Sequence, residues 1–131
     1  MNPASVDIKD MLEAESSLGL IFLTDLFVGR EPSKPSNCVT IFDTPGYPDI
    51  LTLEGDGELY SPSIQIRVRN TSYLTGWDLA NDIRAILHGK NNETWNGSEY
   101  DFIKCTGGPF LLDWDENDRA RFVINLEMKR R

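Results

Sequence analysis

The chain has 131 residues, 40% of them hydrophobic and 26% charged, with a formal net charge of −8. That length suits one domain (1–131) burying about 65–70% of its unfolded surface, and is short for two. The acidic balance disfavours unassisted binding to nucleic acid or to an anionic membrane, and neither a run near the ~20 apolar residues of a membrane span nor a signal peptide is present, so an intracellular chain with no membrane partner is expected.

In chain order, Ser5 is placed to cap a short helix in which Ile8, Met11, Leu12 and Glu15 share a face, closed by Leu18 and Gly19. The run from Leu20 to Val28 is nearly all apolar and rich in strand formers, which predicts a central strand ended by Gly29. REPSKPSN carries two prolines and no apolar residue and reads as a surface loop before a strand from Cys38 to Asp43. Thr44 to Ser61 holds Pro45, Gly46, Pro48, Gly55 and Gly57, so it is expected to be irregular. It also carries Tyr47, Ile50, Leu51, Leu53, Leu59 and Tyr60, more apolar material than a solvated loop requires. This composition predicts a docking loop, mobile in a free subunit and ordered against a neighbour.

From Pro62 to Arg69, Ile64, Ile66 and Val68 alternate with Gln65, Arg67 and Arg69, the period of a strand with one buried face. Asn70, Thr71 and Ser72 can cap a following helix, Tyr73 to His88, and Gly89 can end it. Leu79, Ala80, Ile83, Ile86 and Leu87 line one side of that helix, so it folds back over the Ile64, Ile66 and Val68 face. Asn91 to Gly97 reads as a turn-rich connector anchored by Trp95. Tyr100 to Thr106, Pro109 to Trp114 and Arg119 to Lys129 then form a three-stranded meander, turning at Gly107-Gly108 and at Asp115 to Asp118. The whole is an α+β domain: a mixed or antiparallel sheet of about five to six strands, a main helix packed on one face and a short N-terminal helix.

No constellation points to catalysis, and the chain is expected not to be an enzyme and to need no cofactor. Asp113, Asp115 and Asn117 match the first ligands of a calcium loop, but Asp118 stands where that loop needs glycine and Ile124 where it needs a bidentate glutamate. Metal binding is therefore not expected. The one histidine, His88, falls at a helix C-terminus, where a basic group suits the dipole, with no nucleophile elbow near it. Cys38 and Cys105 both lie in strand-like runs and are expected to be buried free thiols. Arg67 and Arg69 are the informative charges, since they project from the non-core face of their strand, where they are either solvated or in a subunit interface.

The strand Pro62, Gln65, Ile66, Arg67, Val68, Arg69, then Tyr73, Ala80, Ile83, Leu87 and Gly89 in the following helix, resembles the minor capsid or tail terminator proteins of tailed phages. The order of the flanking elements agrees. The resemblance implies a virion protein made in the host cytoplasm and assembled as a homo-oligomeric ring, usually of six copies. Such a ring sits at the neck on the last ring of the tail tube protein, meets the connector proteins of the head, and lets DNA pass through without specific binding. Tyr47, Ile50, Leu51, Leu53, Leu59, Tyr60, Arg67 and Arg69 are the interface candidates. A head-completion protein on the other side of the same joint and a non-viral α+β adaptor are the alternatives.

Overall fold

The computed structural model describes residues 1–51 and 58–131, the side chains at 50, 51 and 58 excepted. The elements are α1 (Ala4–Ala14), β1 (Leu26–Val28), β2 (Cys38–Leu51), β3 (Glu58–Asn70), α2 (Tyr73–Leu87), β4 (Asn91–Trp95), β5 (Ser98–Trp114) and β6 (Ala120–Arg130). They form one six-stranded sheet in the order β1-β2-β3-β6-β5-β4, with β1 parallel to β2 and every other pairing antiparallel. The α+β architecture read from the sequence is the one observed.

The alternation in β3 sets the layers. Ile66 stands between Ile41 and Ile124, and Val68 between Val39 and Phe122, all of them fully buried or nearly so. Ile8, Met11 and Leu12 of α1 and Ala80, Ile83 and Leu87 of α2 join these residues in one apolar cluster, so both helices cover the same face of the sheet. α1 lies over β1, β2 and β3, and α2 over β3, β5 and β6. Ser72 caps α2 as expected, its side chain accepting the Thr75 N–H at 3.4 Å.

Six local expectations are corrected. Pro3, not Ser5, is the N-cap of α1, and the capping acceptor comes from the sheet: Asp43 takes the Ser5 N–H at 3.0 Å and the Ser5 hydroxyl at 2.6 Å. Asp43 pairs with Ile64, which puts its carboxylate on the helix-covered side, at an N-terminus that favours negative charge. The run Leu20 to Val28 supplies only the short edge strand β1, because Asp25 accepts the Ile21 N–H at 2.7 Å and Leu23 takes a φ of 68°, closing a turn that leaves Ile21 and Leu23 exposed.

Thr44 to Ser61 is not irregular throughout. Thr44 to Leu51 and Glu58 to Ser61 continue β2 and β3 as paired arms, with register shifts around Tyr47. Prolines are tolerated there because β1 pairs only with Val39 to Ile41, which leaves the rest of β2 an edge. Gly46 is required, since a Cβ at that position would fall 2.1 Å from the Ser61 carbonyl oxygen. Asn91 to Trp95 is a strand rather than a connector, turned by Asn96-Gly97 with φ of 50° and 82°, the pair of positive values a tight hairpin turn needs. Gly107 and Gly108 do not turn the chain but bulge one long strand, where a Cβ on Gly108 would meet the Val123 carbonyl oxygen at 2.3 Å. Both cysteines are free thiols and Cys38 is buried as expected, but Cys105 is only half-buried, beside the register shift at Gly107.

Gly76 in α2 offers a test of this packing. An added Cβ would lie 2.8 Å from Phe122 Cε2, on a ring held edge-on by Tyr73 and Trp77. Helix propensity alone favours Gly76→Ala by about 1 kcal/mol, whereas overpacking costs about 1–3 kcal/mol. The variant is expected to be net destabilised, as a lowered urea midpoint with an unchanged m-value.

Candidate assembly interface

The face of the sheet turned away from the helices is built from the other half of the same alternation. Register places Phe27, Thr40, Arg67, Val123 and Phe110 in one row across five strands, Phe42, Gln65, Asn125 and Gly107 in the next, and Cys38, Arg69, Arg121 and Asp113 on the other side. Both candidate interface arginines of β3 are therefore on this face, but their surroundings differ.

Arg69 is 3% exposed. The segment after β1 folds across it, and its guanidinium donates to Glu31 Oε1 at 2.9 Å and to the carbonyls of Pro35 and Ser36 at 2.7 and 3.2 Å. The proline-rich segment is thus a cover whose carbonyls satisfy a buried cation. Arg119 ties it down as well, donating to the Ser33 carbonyl at 2.6 Å. Arg69 is committed within its own subunit.

Arg67 is half-buried and differently held. Its guanidinium carbon lies 4.8 Å over the Phe42 ring, and its Nε donates to Gln65 Oε1 at 3.0 Å, while Gln65 donates onward to Asn125 Oδ1 at 3.1 Å. The Asp113 carboxylate, whose charge Arg67 feels, is occupied by Arg121 Nε and Nη2 at 2.6 and 2.5 Å. Further along this face Lys104 pairs with Glu127 at 2.9 Å, and Lys129 donates to the Ser61 hydroxyl. Beside them a groove of about 370 Å³ is lined in part by Thr44, Tyr47, Ser63 and Asn125.

Of the remaining candidates, Tyr47 is 59% exposed and Leu59 and Tyr60 are half-buried on the hairpin arms. The side chains of Ile50 and Leu51, and the whole of Leu53, lie outside the described residues. An exposed apolar set that the sequence reading missed gathers where α2 begins, with Tyr73 stacked on Trp114 at 6.2 Å and Leu74 beside it in sequence, 71% exposed. Only the spacing Tyr73, Trp77 marked it, and the register of β5 was needed to add Trp114.

The acidic turn is an ion-paired corner. Asp115 Oδ1 accepts the N–H groups of Asn117 and Arg119, and Oδ2 accepts Arg119 Nε at 2.7 Å. Burial works to raise the Asp115 carboxyl, but these donors outweigh it and hold the group below the usual range, while Arg121 does the same for Asp113. His88 Nδ1 accepts the Cys105 N–H at 2.9 Å, so its ring fastens the end of α2 to β5. Among the described residues no group of three His, Cys, Asp or Glu side chains could hold a metal ion, and no helix is long and apolar enough to cross a membrane.

The class defined by these features is a small α+β subunit with helices on one face of its sheet and a partly polar, partly aromatic face left open on the other. The chain belongs to the bacteriophage tail terminator family, whose model matches residues 7–131. A solved structure described as the virion of a native gene transfer agent particle shares the fold, with a TM-score of 0.67 at 11% identity over 96% of this chain and 92% of that one. No curated protein matches the chain. It is a structural virion protein of the phage tail.

Two predictions follow from the charges. Glu31→Ala strips the carboxylate from a buried arginine and is expected to cost about 3 kcal/mol, whereas Arg67→Ala is expected to cost about 1 kcal/mol or less, both read by urea unfolding. Asp113 and Asp115 have depressed folded values, so their stabilisation is complete above the ordinary carboxylate range and lost as pH falls through the lower folded values. The thermal midpoint should therefore drop on acidification below about pH 4, and Asp113→Asn with Asp115→Asn should lower it at neutral pH while making the acid limb shallower.

Proposed function

We propose that copies of this chain, six in the closed form, assemble as a ring that terminates the tail tube and joins it to the connector proteins of the head, with DNA passing through the centre. The observation that carries the reading is the open sheet face around Arg67 together with a hairpin whose arms run to the very end of β6 and beyond it. β3 pairs with β6 as far as Tyr60 and Arg130, and β2 with β3 past that point at Ile50–Leu59 and Leu51–Glu58. One subunit thus offers two different surfaces, as a heterologous contact that closes into a ring requires.

Tyr47, Ile50, Leu51, Leu53, Leu59 and Tyr60 are the proposed contacts of the hairpin with a neighbour or with the tail tube protein. Arg67 is the proposed contact on the sheet, with Arg69 bracing the strand behind it. The net charge of −8 per copy supports passage of DNA, because a conduit must conduct phosphate without holding it, and a basic wall would create binding free energy along the path. Assembly takes place in the host cytoplasm and no cofactor takes part.

Purified protein mixed with tails that lack it, viewed by negative stain and sized by native mass spectrometry, tests this. Annular caps on tube ends and a multiple of the subunit mass are the expected outcome. A closed twofold dimer that tails do not change would overturn the proposal.

A further inference from the structure

The open face of the sheet is chemically matched to one segment of the same chain. That face presents Phe42 and Phe110 around Arg67, over a buried Val123 and with the Gln65–Asn125 amide pair alongside. Phe110 is 44% exposed. Among the described residues Arg67 contacts an aromatic ring and one amide oxygen, and the carboxylate whose charge reaches it is taken by Arg121. The surface is therefore partly aromatic and partly polar, around a central cation that has no carboxylate of its own.

The stretch from Pro48 to Leu59 has the opposite character. It contains Asp49, Glu54, Asp56 and Glu58 with no Lys, Arg or His, and its apolar residues are Ile50, Leu51, Leu53 and Leu59. It is apolar with a surplus of carboxylates, the complement of the open face in both respects.

Chain length decides whose face it meets. Nine residues separate Glu58 from Arg67 along β3, roughly 30 Å at strand rise. The six residues from Thr52 to Gly57, tethered at both ends to the Leu51–Glu58 pair, can extend at most about 10–12 Å from it. The tip cannot return to the Arg67 of its own subunit. A second copy supplies the only Arg67 face it can reach.

The geometry points to the Pro48–Leu59 hairpin end of one copy docking on the open sheet face of the next, with its carboxylates around the neighbour's Arg67 and its leucines against Phe42 and Phe110. This rests on the ring reading and specifies its subunit contact. The contact is heterologous, so each copy donates one hairpin and receives another.

A charge exchange tests it. One variant carries Arg67→Glu, and a second carries Asp49→Lys, Glu54→Lys and Asp56→Lys, which takes the hairpin end from four negative charges to a net two positive. Arg67→Gln serves as a gentler form of the first. Circular dichroism and the thermal midpoint establish that each variant is folded. Alone, each should lose tail capping and ring assembly at least tenfold, since like charges then meet at every contact. Mixed in equal amounts they should regain both, because alternating copies then pair acidic hairpin with Arg67 and basic hairpin with the introduced glutamate. Arg67→Glu rings as abundant as wild type would overturn the contact while leaving the ring standing. Two folded variants that fail alone and stay failed when mixed would also overturn it, and would assign the hairpin to the tail tube. Wild-type protein that never closes into rings would sink the ring reading itself.

Discussion

The strict two-residue period of β3 is the constraint on which the rest of the molecule depends. A strand that alternates Ile64, Ile66 and Val68 with Gln65, Arg67 and Arg69 can be buried on one side only. Because it is flanked by β2 and β6, its register fixes theirs, and Ile41, Val39, Ile124 and Phe122 fall on the same side. Both helices then have one apolar face to cover, and the other face is left to polar and aromatic residues. A slip of one residue would put two arginines into the core, so the register is strongly specified.

A second constraint closes the layer. Asp7 of α1 is fully buried and accepts the Tyr100 hydroxyl at 2.5 Å, and Arg130 donates to Tyr100 Oη at 3.0 Å and to Asp7 at 3.3 Å. Asn96, in the β4–β5 turn, donates to Asp7 at 2.7 Å and to Asp10 at 2.8 Å. Burial and the neighbouring carboxylate push the Tyr100 hydroxyl well above its ordinary value, so it stays a donor. The first helix is thereby tied to the last strand and to the far hairpin by charged hydrogen bonds that are good only in this arrangement. The Asp43 cap works the same way from β2. Polar contacts locate α1, while apolar ones hold it down.

How far the sequence was legible follows from which signals are local. The β3–α2 unit was readable because its alternation, its Ser72 cap and its Gly89 terminus all lie within thirty residues. The Leu20 to Val28 run misled because hydrophobicity without periodicity does not separate a strand from an apolar turn, and Asp25 decided for the turn. Prolines and glycines at 45–48 and at 107–109 read as chain breaks, although they mark bulges where two backbones come too close for a Cβ. The facing carbonyls of Ser61 and Val123 that impose this are distant in sequence. Of the interface, the direction of Arg67 and Arg69 was visible from alternation alone, but the burial of Arg69 depends on a covering segment that contains no apolar residue to announce it.

That difference between two arginines two residues apart carries the functional argument. The same face of the same strand provides one cation enclosed by Glu31 and two carbonyls and another left over an aromatic ring with only amides for company. Enclosing Arg69 anchors the cover and rigidifies that end of the sheet, so the surface around Arg67 is held in place before any partner arrives. A preformed, rigid receptor face loses little conformational entropy on docking. In the proposed ring the partner on this face is the hairpin end of the next copy, and contacts that form together reinforce one another. The same asymmetry would give the proposed contact its specificity: an acidic protein repels its own copies wherever surfaces meet at random, and that repulsion would be relieved where a carboxylate-rich segment meets a cation that its own subunit does not enclose.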